Sequence, residues 1–199
     1  MEKRSINFEL RAKKDSRTIF GTATVFNSSY DMGWYDEEMS ADSLNEADMK
    51  DVVALFNHDM NMVLARTSSG TLKLNVTGNA MEYEFEAPNT TLGNDLLEMV
   101  KRGDVYQSSF AFTVEAEDWQ ERSGMKPKRV IRSIKKVYDV SPVTYPANPD
   151  TMVAKRSYEA TKEIDKDLQT IIDISVKSEI NIQNELRRNA LHLLNLKTK

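Results

Sequence analysis

The tract Met81-Glu-Tyr-Glu-Phe-Glu86 constrains the fold most, because apolar Met81, Tyr83 and Phe85 alternate strictly with Glu82, Glu84 and Glu86. Successive side chains of a strand point to opposite faces, so this tract predicts a strand with one face in a core and the other in water. The same period recurs along the first three-quarters of the chain. Ile6, Phe8 and Leu10 alternate with Asn7, Glu9 and Arg11, and Leu72, Leu74 and Val76 alternate with polar partners ahead of a Gly78-Asn79 turn. Residues 18–26 read as another strand with Gly21 as a candidate bulge. Strand patterning returns over 107–117 and from 129 to about 145, after which Pro146 and Pro149 close the region. Helices interrupt the pattern. Leu92, Leu96, Met99 and Val100 form one apolar stripe, and Gly103 stands where a C-terminal cap is expected. A shorter helix is expected over 42–50, started by Ser40 or Asp42. The fold class is therefore α+β.

From about Ser157 the character changes, with no Gly, Pro or aromatic residue after Tyr158. Ile164, Leu168, Ile171, Ile172 and Val176 have helical spacing, as do Leu186, Ala190, Leu193 and Leu194. The expected organisation is a β-rich domain over 1–157 and an amphipathic helical tail over 158–199.

Composition narrows the chemistry. The chain has 199 residues, a formal net charge of -4 and no cysteine. Disulfides, thiolate metal sites and cysteine nucleophiles are excluded, and an acidic balance argues against a nucleic-acid partner. Lys126, Lys128 and Arg129 read as a solvated hairpin tip, and Asp36-Glu37-Glu38 as a solvated turn. No run approaches the roughly 18 apolar residues that span a membrane, and the start lacks a signal-like apolar stretch. A soluble, intracellular protein is expected. There is no G-x-S-x-G elbow, phosphate loop or H-E-x-x-H motif, and neither a metal nor a cofactor is expected.

There are two histidines. His192 sits beside Leu191 and Leu193 on the tail, where a helix-surface role is expected. His58 follows the apolar tract Val52-Val-Ala-Leu-Phe56 at a strand end, where scaffolds present reactive groups, although a structural histidine is the simpler alternative. In Gln107-Ser-Ser-Phe-Ala-Phe-Thr-Val114, Ser108, Phe110, Phe112, Val114 and Ala116 share a bulky, core-suited face. Gln107, Ser109, Ala111 and Thr113 share the opposite face, whose small side chains leave room for a peptide. Ser109 is thus the candidate nucleophile, against the reading of an ordinary strand that begins with serines. Asp139 is a carboxylate in a mostly apolar strand and needs a partner there. It can orient a histidine, or it can pair with Lys135 or Lys136.

These three tracts together resemble the tailed-phage prohead protease family, which is distantly similar to herpesvirus assemblins. The likeness lies in Ala54-Leu-Phe-Asn-His58 with Leu64-Ala-Arg66 and Ser69-Gly-Thr-Leu72, in Ser108-Ser-Phe-Ala-Phe112, in Asp139-Val-Ser-Pro-Val-Thr-Tyr-Pro-Ala-Asn148, and in the opening Phe20-Gly-Thr-Ala-Thr-Val-Phe26. It spans roughly residues 4 to 156. It implies a compact antiparallel β-barrel flanked by helices and a serine endopeptidase with catalytic His58, Ser109 and Asp139. Glutamate is more usual at the third position and glycine at Ala111. Arg66 is a further candidate for an oxyanion or substrate contact. The implied substrates are scaffold protein, or the scaffold-like segment of the major capsid protein, and the enzyme itself. The implied place is the immature prohead in the host bacterial cytoplasm. The tail fits a scaffold-binding or self-cleaved segment, and self-association through the barrel helices or the tail is a further expectation. The alternative function is a non-catalytic scaffold or capsid-assembly protein with the same fold.

Overall fold

The computed structural model describes residues 1–6, 10–14, 16–145 and 151–197. Its contacts fall into two compact units, Met1–Thr151 and Met152–Lys199. Among the described residues the first unit carries eleven strands and one helix. In chain order these are β1 (Glu2–Ile6), β2 (Leu10–Ala12), β3 (Thr18–Val25), β4 (Ser29–Asp31), β5 (Asp36–Met39), β6 (Val53–Leu55), β7 (Val63–Arg66), β8 (Leu72–Val76), β9 (Ala80–Glu86), α1 (Thr91–Arg102), β10 (Gln107–Gln120) and β11 (Lys128–Val143). Among the described residues the second unit is formed by the helix α2 (Thr151–Lys197), which starts seven residues before the expected boundary.

The strands form two sheets. One runs β1-β10-β11-β5-β4, with β6 paired to β11 and β7 to β6, and the other runs β2-β3-β9-β8. The α+β class holds, but no closed ring of strands joins the sheets among the described residues. Nor is the pairing wholly antiparallel, because β5 and β6 both run parallel to β11. The alternation in β9 behaves as its sequence dictates, with Met81, Tyr83 and Phe85 buried and the three glutamates exposed. These side chains join Ile19, Leu96, Phe110, Phe112, Ile131, Val137 and Val140 in one core. Truncating a ring such as Phe110 there would cost about 3–5 kcal/mol. Helix α1 buries Leu96, Leu97 and Val100 in that core; Thr90 caps its start by accepting from the Gly93 N–H at 3.2 Å. Gly103 ends it at φ 83°, a left-handed conformation costly for a residue with a Cβ.

Several local expectations are corrected. Ile6 ends β1 and Leu10 begins β2 in the other sheet, so that tract holds two strands; residues 7–9 lie outside the described residues. The bulge in β3 falls between Thr22 and Thr24, not at Gly21. Gly21 instead provides room, since a Cβ there would lie 2.7 Å from the Tyr83 ring. Residues 42–46 form turns and Asp48 bridges to Lys136 of β11, so the expected helix over 42–50 is not formed. Their backbone is spent on β11: Ile134 donates to the Ser43 carbonyl, Asp48 N–H donates to Lys135, and Val137 donates to Asp48. Those bonds replace the i→i+4 ladder that a helix would need.

The charged tracts are corrected as well. Glu37 lies in β5 and Arg129 in β11, and both are buried. Arg129 donates to Glu2 at 2.7 and 2.9 Å, to Glu37 at 3.0 Å and to Glu117 at 2.8 Å. Arg4 forks onto Glu37 and also bonds Glu2. Charges so deeply buried persist only when paired, and this five-residue network pins β1 to β10, β5 and β11. Pro146 and Pro149 lie outside the described residues. In α2, Ile164, Leu168, Ile171, Ile172 and Val176 are all exposed. No helix among the described residues is long and apolar enough to cross a membrane.

Candidate active site

The centre of the site is β11, flanked by β10 on one side and by β6 on the other. Antiparallel register sets Ser109 opposite Ser141 and Ala111 opposite Asp139. Asp139 and Ser141 stand two residues apart on one strand, so they share a face. The small Ala111, wholly buried, leaves that face clear beside the carboxylate.

His58 reaches this face from the loop after β6. Strand β6 pairs with β11 through Val53 opposite Asp139 and Ala54 opposite Val140. Asn57 and His58 then take left-handed backbone conformations, φ 56° and 57°, which turn the chain sharply. Neither residue is glycine, so the turn carries a cost that surrounding contacts must offset. They do so through Asn57, whose N–H donates to the Pro142 carbonyl at 2.9 Å. Its side-chain oxygen accepts from the Thr144 N–H at 2.9 Å, and its amide donates to the Thr144 hydroxyl at 3.2 Å. The histidine loop is thus stapled to the end of the strand that carries Asp139.

The three candidates meet. His58 Nδ1 lies 2.6 Å from Asp139 Oδ1, and His58 Nε2 lies 2.6 Å from Ser109 Oγ. A carboxylate can only accept, so Nδ1 carries the proton and Nε2 presents its lone pair to the serine. The lysines considered as partners for Asp139 are occupied elsewhere, Lys135 with Glu115 and Lys136 with Asp48. The serine pair divides as the strand period requires. Ser108 hydrogen-bonds the Tyr83 hydroxyl at 2.8 Å inside the core, while Ser109 faces the imidazole.

Two features of the site were not read from sequence. Ser109 Oγ also donates to the Arg4 carbonyl of β1 at 2.9 Å, so one hydroxyl proton has two acceptors in reach, and β1 covers the serine. Only the long-range pairing of Ser5 with Ser109 brings that carbonyl there, and nothing local signals it. The second is Ser141, buried, with its hydroxyl 2.8 Å from Asp139 Oδ1 and 3.3 Å from His58 Nδ1. A serine two residues past an acid on the same strand was the available signal.

Beside His58 and Asp139 runs a groove of about 550 Å³ whose lining includes Lys3, Leu55, Met60, Val63, Arg66 and Tyr138. Arg66 forks onto Asp51 through two bonds of 2.6 Å, and these bonds hold the Asp51 carboxyl well below the usual range. Its guanidinium is committed to that pair. His192 lies on α2, and its side chain is outside the described residues.

A base facing a hydroxyl through one nitrogen and a carboxylate through the other is an arrangement suited to acyl transfer. No curated protein and no solved structure matches the chain, so the expected kinship with assemblins finds no support there. The family described as caudovirus prohead serine protease matches residues 6–164. That match covers most of the chain, which belongs to the caudovirus prohead serine proteases, hydrolases of bacteriophage capsid maturation.

Proposed function

We propose that the chain is an endopeptidase in which Ser109 is the nucleophile, His58 the general base and acid, and Asp139 the group that orients His58. The observation that carries this reading is the imidazole bridging Asp139 and Ser109 at 2.6 Å on each side. Ser109 Oγ forms a bond to the peptide carbonyl carbon as its proton passes to Nε2. His58 then returns that proton to the leaving nitrogen as the C–N bond breaks, leaving an acyl-enzyme. Water, deprotonated by the same Nε2, cleaves the ester. Asp139 holds the tautomer and offsets the positive charge His58 carries between the two transfers. Attack requires the Ser109 proton to turn from the Arg4 carbonyl to Nε2, which rotation about the Cβ–Oγ bond provides.

The proposed substrates are the scaffold protein or the scaffold-like segment of the major capsid protein, together with the enzyme itself. The proposed place is the immature head inside the host cytoplasm. Co-expression with the capsid protein of the same phage, followed by intact-mass measurement, tests both parts. Wild type should shorten the capsid protein and itself, whereas Ser109→Ala should leave both at full mass. Equal processing by the two would remove Ser109 from the mechanism.

A further inference from the structure

We infer that Ser141 is a positioning residue for the reaction, holding the Asp139 carboxylate and the His58 tautomer in working register through its hydroxyl. The inference rests on the reading of His58, Ser109 and Asp139 given above. It assigns a fourth side chain.

The bookkeeping of protons carries it. Asp139 Oδ1 accepts two bonds, from His58 Nδ1–H at 2.6 Å and from the Ser141 hydroxyl at 2.8 Å. Once that hydroxyl proton points to the carboxylate, the lone pairs of Ser141 Oγ face Nδ1–H at 3.3 Å. Nδ1–H therefore sits against two acceptors and has no competing donor. A ring flip that aimed Nδ1 at Ser109 would break both contacts. Ser141 thus acts on the carboxylate and on the ring together.

Its place in the sheet makes the hydroxyl rigid. Ser141 is wholly buried in β11, directly across from Ser109 in β10. The two serines occupy opposite ends of one imidazole, Ser109 at Nε2 and Ser141 at Nδ1. Without the Ser141 bond, among the described contacts, Asp139 Oδ1 is held by His58 alone. A carboxylate held by one mobile partner samples more rotamers, and the fraction of molecules with Nε2 aimed at Oγ falls. Hydrogen bonds to a charged group are strong enough that losing one slows a step dependent on it by about tenfold to a hundredfold.

The test uses the full chain and two readouts. A fluorophosphonate probe bonds its phosphorus to an activated serine oxygen, with loss of fluoride and transfer of the serine proton to the base. Its labelling needs no substrate sequence and is followed by intact mass. Proton NMR reads the low-field resonance of the His58 Nδ1–H held against Asp139, whether or not the protein reacts. Ser141→Ala removes one oxygen, and its thermal transition serves as a check on folding. We expect the maximal labelling rate to fall about tenfold to a hundredfold with the half-saturating probe concentration unchanged. The low-field resonance should move upfield or broaden. In an Asp139→Ala background the further change Ser141→Ala should cost clearly less than in wild type, because the bond to the carboxylate is already gone and only the 3.3 Å contact with the ring remains. An unmoved resonance with an unchanged rate overturns the inference, as does the same large loss in both backgrounds, which would mark Ser141 as packing. If Ser109→Ala labels as fast as wild type, the reading of Ser109 as nucleophile fails, while the resonance still decides the role of Ser141.

Discussion

Replacing Arg129 with Met should unmask the cost of the buried ion network. The substitution keeps most of the aliphatic volume and removes the guanidinium that serves Glu2, Glu37 and Glu117. Glu2 and Glu37, whose side chains are only 6% exposed, then have Arg4 as their remaining cation, while Glu117 keeps the bond from the Trp119 Nε1–H at 3.1 Å. Breaking a buried pair costs about 3–5 kcal/mol. Glu117 is 16% exposed and can turn toward water, so the middle of that range applies, about 4 kcal/mol. For a unit of this size each kcal/mol moves Tm by about 2–4 °C, giving a fall of about 8–16 °C at pH 7. The pH dependence should reverse as well. In wild type, burial alone would raise the Glu2 carboxyl, but the Arg129 hydrogen bonds and the charges of Arg4 and Arg129 outweigh it and hold Glu2 below its ordinary value of 4.5. A depressed folded value contributes stability present above that ordinary value and lost as pH falls through the folded one. In the variant Arg4, shared between Glu2 and Glu37, should no longer outweigh the burial of both, so Glu2 rises above its ordinary value, its ionisation opposes folding at neutral pH and acid relieves the cost. Thermal melts by circular dichroism between about pH 7 and 5 should show a flat wild type and a variant whose Tm rises on acidification. A variant within about 2 °C of wild type at pH 7, or one with the wild-type acid slope, would refute the reasoning.

Three further outcomes are expected. Ser108→Ala should retain self-processing that Ser109→Ala abolishes, while losing about 1–3 kcal/mol because the buried Tyr83 hydroxyl is left without Ser108; denaturant melts and intact mass separate the two effects. His58→Gln should abolish proteolysis, because the amide has no basic nitrogen to take the Ser109 proton; cleavage at the wild-type rate would remove histidine from the mechanism. A chain ending at Ser157 should keep its β-rich circular dichroism and a cooperative melt and should cut a supplied substrate, yet enter assembling heads poorly; unfolding or aggregation would place the tail within the folding unit.

The sequence was legible where the information is local. Period-two alternation located β8 and β9, and a stripe with a terminal glycine located α1. Strand-face logic separated Ser108 from Ser109, because that depends only on which way neighbouring side chains point. The reading failed where distant partners decide. Glu37 and Arg129 look like surface charge, and nothing nearby reveals that Glu37 meets Arg4 and Arg129 meets Glu2 across more than thirty intervening positions. The expected helix over 42–50 has helix-compatible residues, but parallel contact with β11 claims its backbone groups. The same limit hid the Arg4 carbonyl over Ser109, which exists only through the pairing of β1 with β10.

The division of labour between adjacent serines makes strand register the variable on which the site depends. A slip of one residue in β10 would exchange the faces, sending Ser109 into the core and Ser108 toward His58. Both neighbours of β10 oppose that slip, with β1 pairing Ser5 to Ser109 and β11 pairing Ser141 to it. Tyr83 opposes it from the other sheet, since its hydroxyl finds Ser108 only in the native register. Burial pushes the Tyr83 hydroxyl well above its usual range, so it stays neutral near neutral pH. That contact depends in turn on Gly21, because an added Cβ would lie 2.7 Å from the Tyr83 ring carbon and oxygen nearest it. The ring is fully buried, so shifting it would disturb the close-packed side chains around it. A glycine in the smaller sheet therefore supports, through one tyrosine, the register that turns Ser109 toward His58 in the larger one.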